Sequence, residues 1–219
     1  MSLSKSCKFL AATDGRDKLY KFFHYGARFL SWFCLNTANN AQWAKYWSNI
    51  DSVMSDGRKL LRLFKFLSEI EKLGTIREAR PMLLVANLLK TLGMAGYFFF
   101  NNLSWAMKFN IVSGDEKKWG KLSFWAWTVG LLFALVLDVV KYRENSRRQQ
   151  KALASSSQTE LAQLKKEQRE LEYAMIREVA NLQISTSLVE INPIKSAGVV
   201  GLAGVVEAGL ASYQIWKKC

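Results

Sequence analysis

An all-α fold carried in a membrane is what this 219-residue sequence predicts, and three observations lead there. Only two prolines, Pro81 and Pro193, interrupt the chain, and β-branched residues never alternate with polar ones over a useful length, so helices can run long. The apolar residues are segregated: a mean hydropathy of -0.03 averages charged amphipathic stretches with two runs that a soluble fold of this size would struggle to enclose. The balance of 31 Lys and Arg against 18 acidic residues, a net charge of +13, adds an attraction to polyanionic surfaces.

Residues 1–80 read as an amphipathic helical region. Its first helix runs from about Ser4 to Cys34, with a possible break at Asp14-Gly15. Asp17, Lys21, His24, Arg28 and Ser31 recur at intervals of four and three and form one polar stripe, while Phe22, Phe23, Leu30 and Phe33 fall on the other side. The spacing predicts a second helix over 41–73. There Arg58, Arg62, Lys65, Glu69 and Lys72 make the polar stripe, and Leu60, Phe64, Leu67 and Ile70 belong to an apolar sector wider than half the circumference, with Lys59 intruding. A sector that wide suits a bundle interior or an acyl-chain boundary, and the cationic polar face favours the boundary.

Residues 81–118 contain an apolar, aromatic helix over Met82 to Met107, long enough to span but carrying Asn87, Lys90, Asn101 and Asn102, followed by a polar loop. It is expected to be membrane-embedded and packed against protein. Residues 119–141 are the clearest transmembrane helix, with Trp119, Trp125 and Trp127 leading a run of Leu, Phe and Val flanked by basic residues. Residues 142–192 form a polar helical loop. A linker or solvated helix extension ends in Ser155-Ser156-Ser157, and a weak heptad pattern follows from Leu161 to Leu182, broken by Gln168 and Glu178, suited equally to packing on its own protein or to an oligomer contact. Residues 193–219 hold a C-terminal span and tail. Ala197, Gly201, Gly204, Ala208 and Ser212 make small-residue stripes for close helix approach, taken here as a self-association surface. Glu207 lies mid-span, where an unpaired charge costs about 2.5 to 3.5 kcal/mol. It must be protonated, paired or turned to protein, and Lys90 is the obvious opposite charge. Asp138 is expected near a helix end, close to Lys141.

The chemistry-bearing patterns of enzymes are missing. A single histidine, His24, rules out a multi-histidine metal site, and on the polar stripe it reads as solvated. No metalloprotease, hydrolase, P-loop or dinucleotide motif is present, so no catalytic residue, metal or cofactor is assigned. Cys7, Cys34 and Cys219 lack disulfide or zinc spacing. Nothing reads as a nucleic-acid motif, and lipid is the better polyanion. Residues 1–13 lack the apolar core of a secretory signal, and the C-terminus matches neither a prenylation box nor a peroxisomal matrix address.

Two stretches carry a resemblance: Thr13-Asp14-Gly15-Arg16-Asp17-Lys18 with the aromatic helix through Tyr25-Gly26-Ala27-Arg28, and Arg58-Lys59-Leu60-Leu61-Arg62-Leu63-Phe64-Lys65-Phe66-Leu67. The chain resembles the peroxin-11 family of peroxisomal membrane proteins, and looks most like its kinetoplastid glycosomal members. The resemblance implies a multi-pass protein of the peroxisomal (glycosomal) membrane with cytosolic termini, delivered by the peroxisomal membrane-protein import receptor. It also implies organelle elongation and fission through self-association and a dynamin-like GTPase. On this reading Arg58, Lys59, Arg62, Lys65 and Lys72 meet anionic headgroups, each worth about 1 kcal/mol, while Leu60, Phe64, Leu67 and Ile70 wedge about 5 to 10 Å into the interface. Lys21, Phe22, Phe23 and Arg28 do the same on the first helix. The alternative is a pore for small metabolites, motivated by Lys90, Asn101, Asn102, Asp138 and Glu207 inside apolar segments.

Overall fold

The first helix does not run unbroken to Cys34. Ala12 is extended (φ -72°, ψ 126°), so α1 (Leu3–Ala11) stops there and α2 (Thr13–Asn36) starts afresh, two residues ahead of the expected break. Asp14 in the first turn of α2 suits the positive end of the helix dipole. At Gly15 a Cβ would overlap the Phe9 carbonyl, so only glycine lets the two helices meet this closely. The structure, a computed structural model, describes residues 3–154 and 157–219, among which there are eight helices and no strand.

The second amphipathic segment also divides. α3 (Ala41–Leu61) opens on Asn40, whose side chain accepts from the Trp43 N–H at 3.1 Å, and α4 (Lys65–Thr75) follows a break at 62–64. Phe64 has φ 59°, a left-handed conformation that strains a non-glycine residue. Asn102 holds the break from another helix. Its carbonyl accepts the Phe64 N–H at 3.0 Å, and its amide donates to the Arg62 carbonyl at 3.4 Å.

α5 (Pro81–Lys108) begins with its proline at N1, where the missing N–H costs nothing. α6 (Glu116–Ala154) has 39 residues, about 58 Å at 1.5 Å per residue, roughly twice the thickness of a bilayer core. α7 (Gln158–Leu188) and α8 (Ala197–Lys218) complete the chain. Residues 141–154 continue α6 and bury Asn145 and Ala152 along it, while Ser155-Ser156 lie outside the described residues. Because α6 continues to Ala154, Asp138 sits within it and not near its end. α5, α6 and α8 are each long and apolar enough to cross a membrane, including the Asn- and Lys-bearing segment whose ability to span was doubtful.

The pairs α2 with α3, α2 with α8, α5 with α6, α6 with α7 and α7 with α8 pack antiparallel. α5 and α6 cross where a Cβ on Gly93 would lie 2.6 Å from the Gly130 nitrogen, so backbone meets backbone. α2 pairs with α3 through Ser31 Oγ, which donates to the Ala44 carbonyl at 2.8 Å. It pairs with α8 along that helix's glycines: Trp32, Phe29 and Tyr25 fill the space where side chains on Gly198, Gly201 and Gly204 would stand. α7 folds back on α6, burying Leu164 and Ala152. Of the heptad series, Leu164 thus serves the chain's own hairpin, while Val179 stays exposed. Gln168, which breaks that pattern, accepts from Asn145 at 2.8 Å.

Candidate functional site

The amphipathic helices turn their stripes the opposite way from a helix on a soluble core. On α2 the polar residues Asp17, Lys21 and His24 are buried, while Phe22 and Phe23 are exposed. On α3, α4 and the break between them, Arg58, Arg62 and Glu69 are buried, and Leu60, Phe64, Leu67 and Ile70 are each at least half exposed. In lipid this is the favourable sense, because acyl chains accept apolar side chains and charged groups must satisfy one another inside.

Two carboxylates organise the interior. Asp17 accepts from Arg58 Nε at 3.2 Å and faces Arg62 Nε at 3.5 Å, and Arg62 donates onward to the Tyr97 hydroxyl at 2.6 Å. Burial alone would raise the Asp17 carboxyl; the guanidinium groups of Arg58 and Arg62, with Lys18 and Lys21, hold it well below the usual carboxylate range. Glu207 is wholly buried and meets Lys21 at 2.5 Å, Lys18 at 3.0 Å and Arg177 at 3.4 Å. Lys21 also donates to Asn181 Oδ1 at 2.7 Å. Burial pushes the Lys21 ammonium down to about 7, against the pull of Glu207.

These groups border a chamber of about 580 Å³, reached past Lys65, Lys72 and Lys218 and lined inside by Tyr97, Phe98 and Trp127. A second cavity of about 370 Å³ is lined by Arg28, Ser31, Asp51, Ser187 and Val200. There Asp51 takes Arg28 Nε at 3.0 Å and His24 Nδ1 at 2.7 Å, and burial lowers the His24 pKa. The helices run in register between the two. Going from chamber to second cavity, α2 offers Lys21, Tyr25, Arg28, α7 offers Asn181, Ile184, Ser187, and α8 offers Glu207, Gly204, Val200. Tyr25 and Ile184 are fully packed in the aromatic core with Trp127 and Tyr97, which stack at 5.0 Å. An apolar septum one side chain thick separates two polar cavities.

Several expected placements change. Arg58 and Arg62 point inward and cannot reach headgroups, and Lys59 is half-buried beside Asp56. Lys65 and Lys72 remain nearer the surface, paired with Asp14 and Glu69. Lys21 and Arg28 are interior ligands of carboxylates, and His24 is buried where a solvated residue was expected. Glu207 is paired, but with Lys18, Lys21 and Arg177; Lys90 lines the chamber without touching it. Gly201 and Gly204 are covered by α2 of the same chain and Ala208 is buried, so this part of the stripe is not free for a second copy, while Ala197 is exposed and Ser212 half-buried. Arg177, Asn181, Tyr25 and Tyr97 were missed. Tyr25 could have been found, since it stands four residues after Lys21 and three before Arg28.

Three apolar helices and the amphipathic helices packed with them, closed around a charged interior, define an all-helical multi-pass membrane protein. The chain belongs to the Peroxisomal biogenesis factor 11 (PEX11) family, whose model matches residues 3–216. Relatives include the peroxisomal membrane protein 11 homolog of Dictyostelium discoideum, 25% identical over 99% of this chain and 95% of the relative. Peroxisomal membrane protein 11-4 of Oryza sativa subsp. indica is 26% identical over 98% and 97%. Peroxisomal biogenesis factor 11 of Schizosaccharomyces pombe is 22% identical over 95% and 92%. No solved structure matches. Membership gives the chain a role in peroxisome biogenesis.

Proposed function

We propose that this chain remodels the peroxisomal membrane, driving elongation and fission by lateral insertion of the apolar faces of α2, α3 and α4. The observation that supports this is the outward aim of Leu60, Phe64, Leu67 and Ile70 beside the inward aim of Arg58 and Arg62. Burying an apolar side chain of this size in acyl chains is worth about 1.5 to 3 kcal/mol, so the outward row is a strong lipid anchor. Lys72 is the cation of the block best placed for a headgroup. Because the α8 stripe is filled by α2, self-association would use these outward faces. The import receptor and a dynamin-like GTPase complete the scheme by family resemblance, as do cytosolic termini and a glycosomal setting. The test is the full chain in anionic liposomes. Tubulation is expected, and its loss in Leu60→Glu/Leu67→Glu protein of unchanged helicity; tubulation undiminished in that variant would sink the wedge.

The two cavities support a second reading, a pore for small metabolites with the septum as its closed gate. In planar bilayers Tyr25→Ala should open a larger or more frequent unitary conductance than the unaltered chain. Equal silence from both would reject it.

A further inference from the structure

We propose that the chamber between α2, α3, α5, α7 and α8 is a binding site for a small phosphate dianion, either free phosphate or a soluble phosphomonoester. The site is the one on which the pore reading rests, but binding needs no conduction. Among the described residues the chamber is lined by nine basic and five acidic side chains. At its mouth Lys65 and Lys72 are matched by Asp14 and Glu69. At its floor Lys18, Lys21, Arg58, Arg62 and Arg177 converge on Asp17 and Glu207, with Glu178 the third carboxylate of the inner wall. Lys90 lines the wall, near Asp138 and Glu178 but in direct contact with neither.

Positive charge held at this depth is costly unless an anion accompanies it, because low-dielectric walls concentrate the field and carry little screening. The chemistry of the donors narrows the class. Arg58 and Arg62 are fixed through Nε on Asp17, and Arg62 also through Tyr97, with their planes set over the Tyr25 and Tyr97 rings. Pre-oriented guanidinium groups flanked by ammonium groups suit an oxyanion with several acceptor oxygens far better than a halide. A volume of about 580 Å³ accepts phosphate or a phosphorylated small solute.

A phosphorylated lipid headgroup offers the same chemistry, so the experiment separates the two sources. Full chain in nanodiscs of purely zwitterionic lipid is titrated with inorganic phosphate at constant ionic strength, following thermal stability and direct binding. Saturable binding that chloride does not reproduce is expected. Lys18→Gln and Lys90→Gln should each weaken it about tenfold or more, as loss of a unit charge near a dianion in a semi-buried site requires. Lys18→Arg, which keeps both the charge and the ion pair to Glu207, should largely restore it, and the outer-surface Lys121→Gln should leave it unchanged; thermal stability of the same variants without phosphate separates loss of that ion pair from loss of the ligand contact. No saturation, chloride as effective as phosphate, or full binding in both glutamine variants overturns the proposal. Binding lost when phosphatidic acid is added to the nanodisc assigns the site to a headgroup and overturns the soluble ligand. Conductance on the same preparations is scored separately: conductance without phosphate binding keeps the pore and rejects the site, and binding without conductance does the reverse.

Discussion

Replacing Glu207 by Gln should be among the most damaging single changes in this chain. The carboxylate is wholly buried and holds three cations, Lys21 at 2.5 Å, Lys18 at 3.0 Å and Arg177 at 3.4 Å. Removing one side of a buried ion pair costs about 3 to 5 kcal/mol, because the remaining charge keeps its desolvation penalty. Lys21 has one escape, loss of its proton. With its folded pKa already about 7, that escape is nearly free at pH 7, so Lys21 adds little to the loss, which falls on Lys18 and Arg177. At about 2 to 4 °C per kcal/mol for a chain of this length, the thermal midpoint in detergent should fall by roughly 6 to 20 °C. The companion variant Lys21→Met/Glu207→Leu, which removes both charges at similar volume, should recover much of the loss. A fall below about 1 kcal/mol in Glu207→Gln, or a double variant no better than the single, would refute the claim that this cluster holds α2 to α8.

Asn102→Ala should destabilise by about 1 to 3 kcal/mol, since it strips the Phe64 N–H and the Arg62 carbonyl of their partner at a strained turn; denaturant titration in micelles measures it. Gly204→Val should push Tyr25 off α8, and an overpacking cost of about 1 to 3 kcal/mol should appear with faster proteolysis between α2 and α3. Stability should also depend on pH through Lys21, which faces Glu207, Asn181, Lys18 and Arg58. Its folded pKa of about 7 lies below its ordinary 10.5, so the unfolded chain holds the extra proton between those values. Stability should therefore rise as pH climbs from 7 toward 10, and Lys21→Met should flatten that slope.

The helices themselves were legible because proline, turn residues and hydrophobic period act locally. Phe64 shows where that stops. Nothing within residues 58–72 announces a left-handed residue; its partner, Asn102, comes from a helix about forty positions later. The stripes were legible as stripes, but a period of 3.6 reports which residues share a face and says nothing of what that face meets. Arg58 and Lys72 looked equivalent on the sequence and differ in the structure, because Asp17 waits for one and only the neighbouring Glu69 for the other. The small-residue series in α8 correctly announced a close approach, yet the partner was its own chain's Tyr25, Phe29 and Trp32, a contact of long sequence separation. Arg177 carried no signal, lying in a polar helix among many other charges.

The inward aim of Arg58 and Arg62 bears on how fragments of this protein behave. Cut free of the bundle, residues 56–74 lose Asp17 and Tyr97, and the guanidinium groups those residues held become available to any anionic surface. Such a peptide would cling to charged vesicles by means of side chains that the intact protein keeps indoors. Affinity measured on the excised segment is then a property of the amputation, and the behaviour of the organelle has to be read from chains in which α2 and α8 are still present.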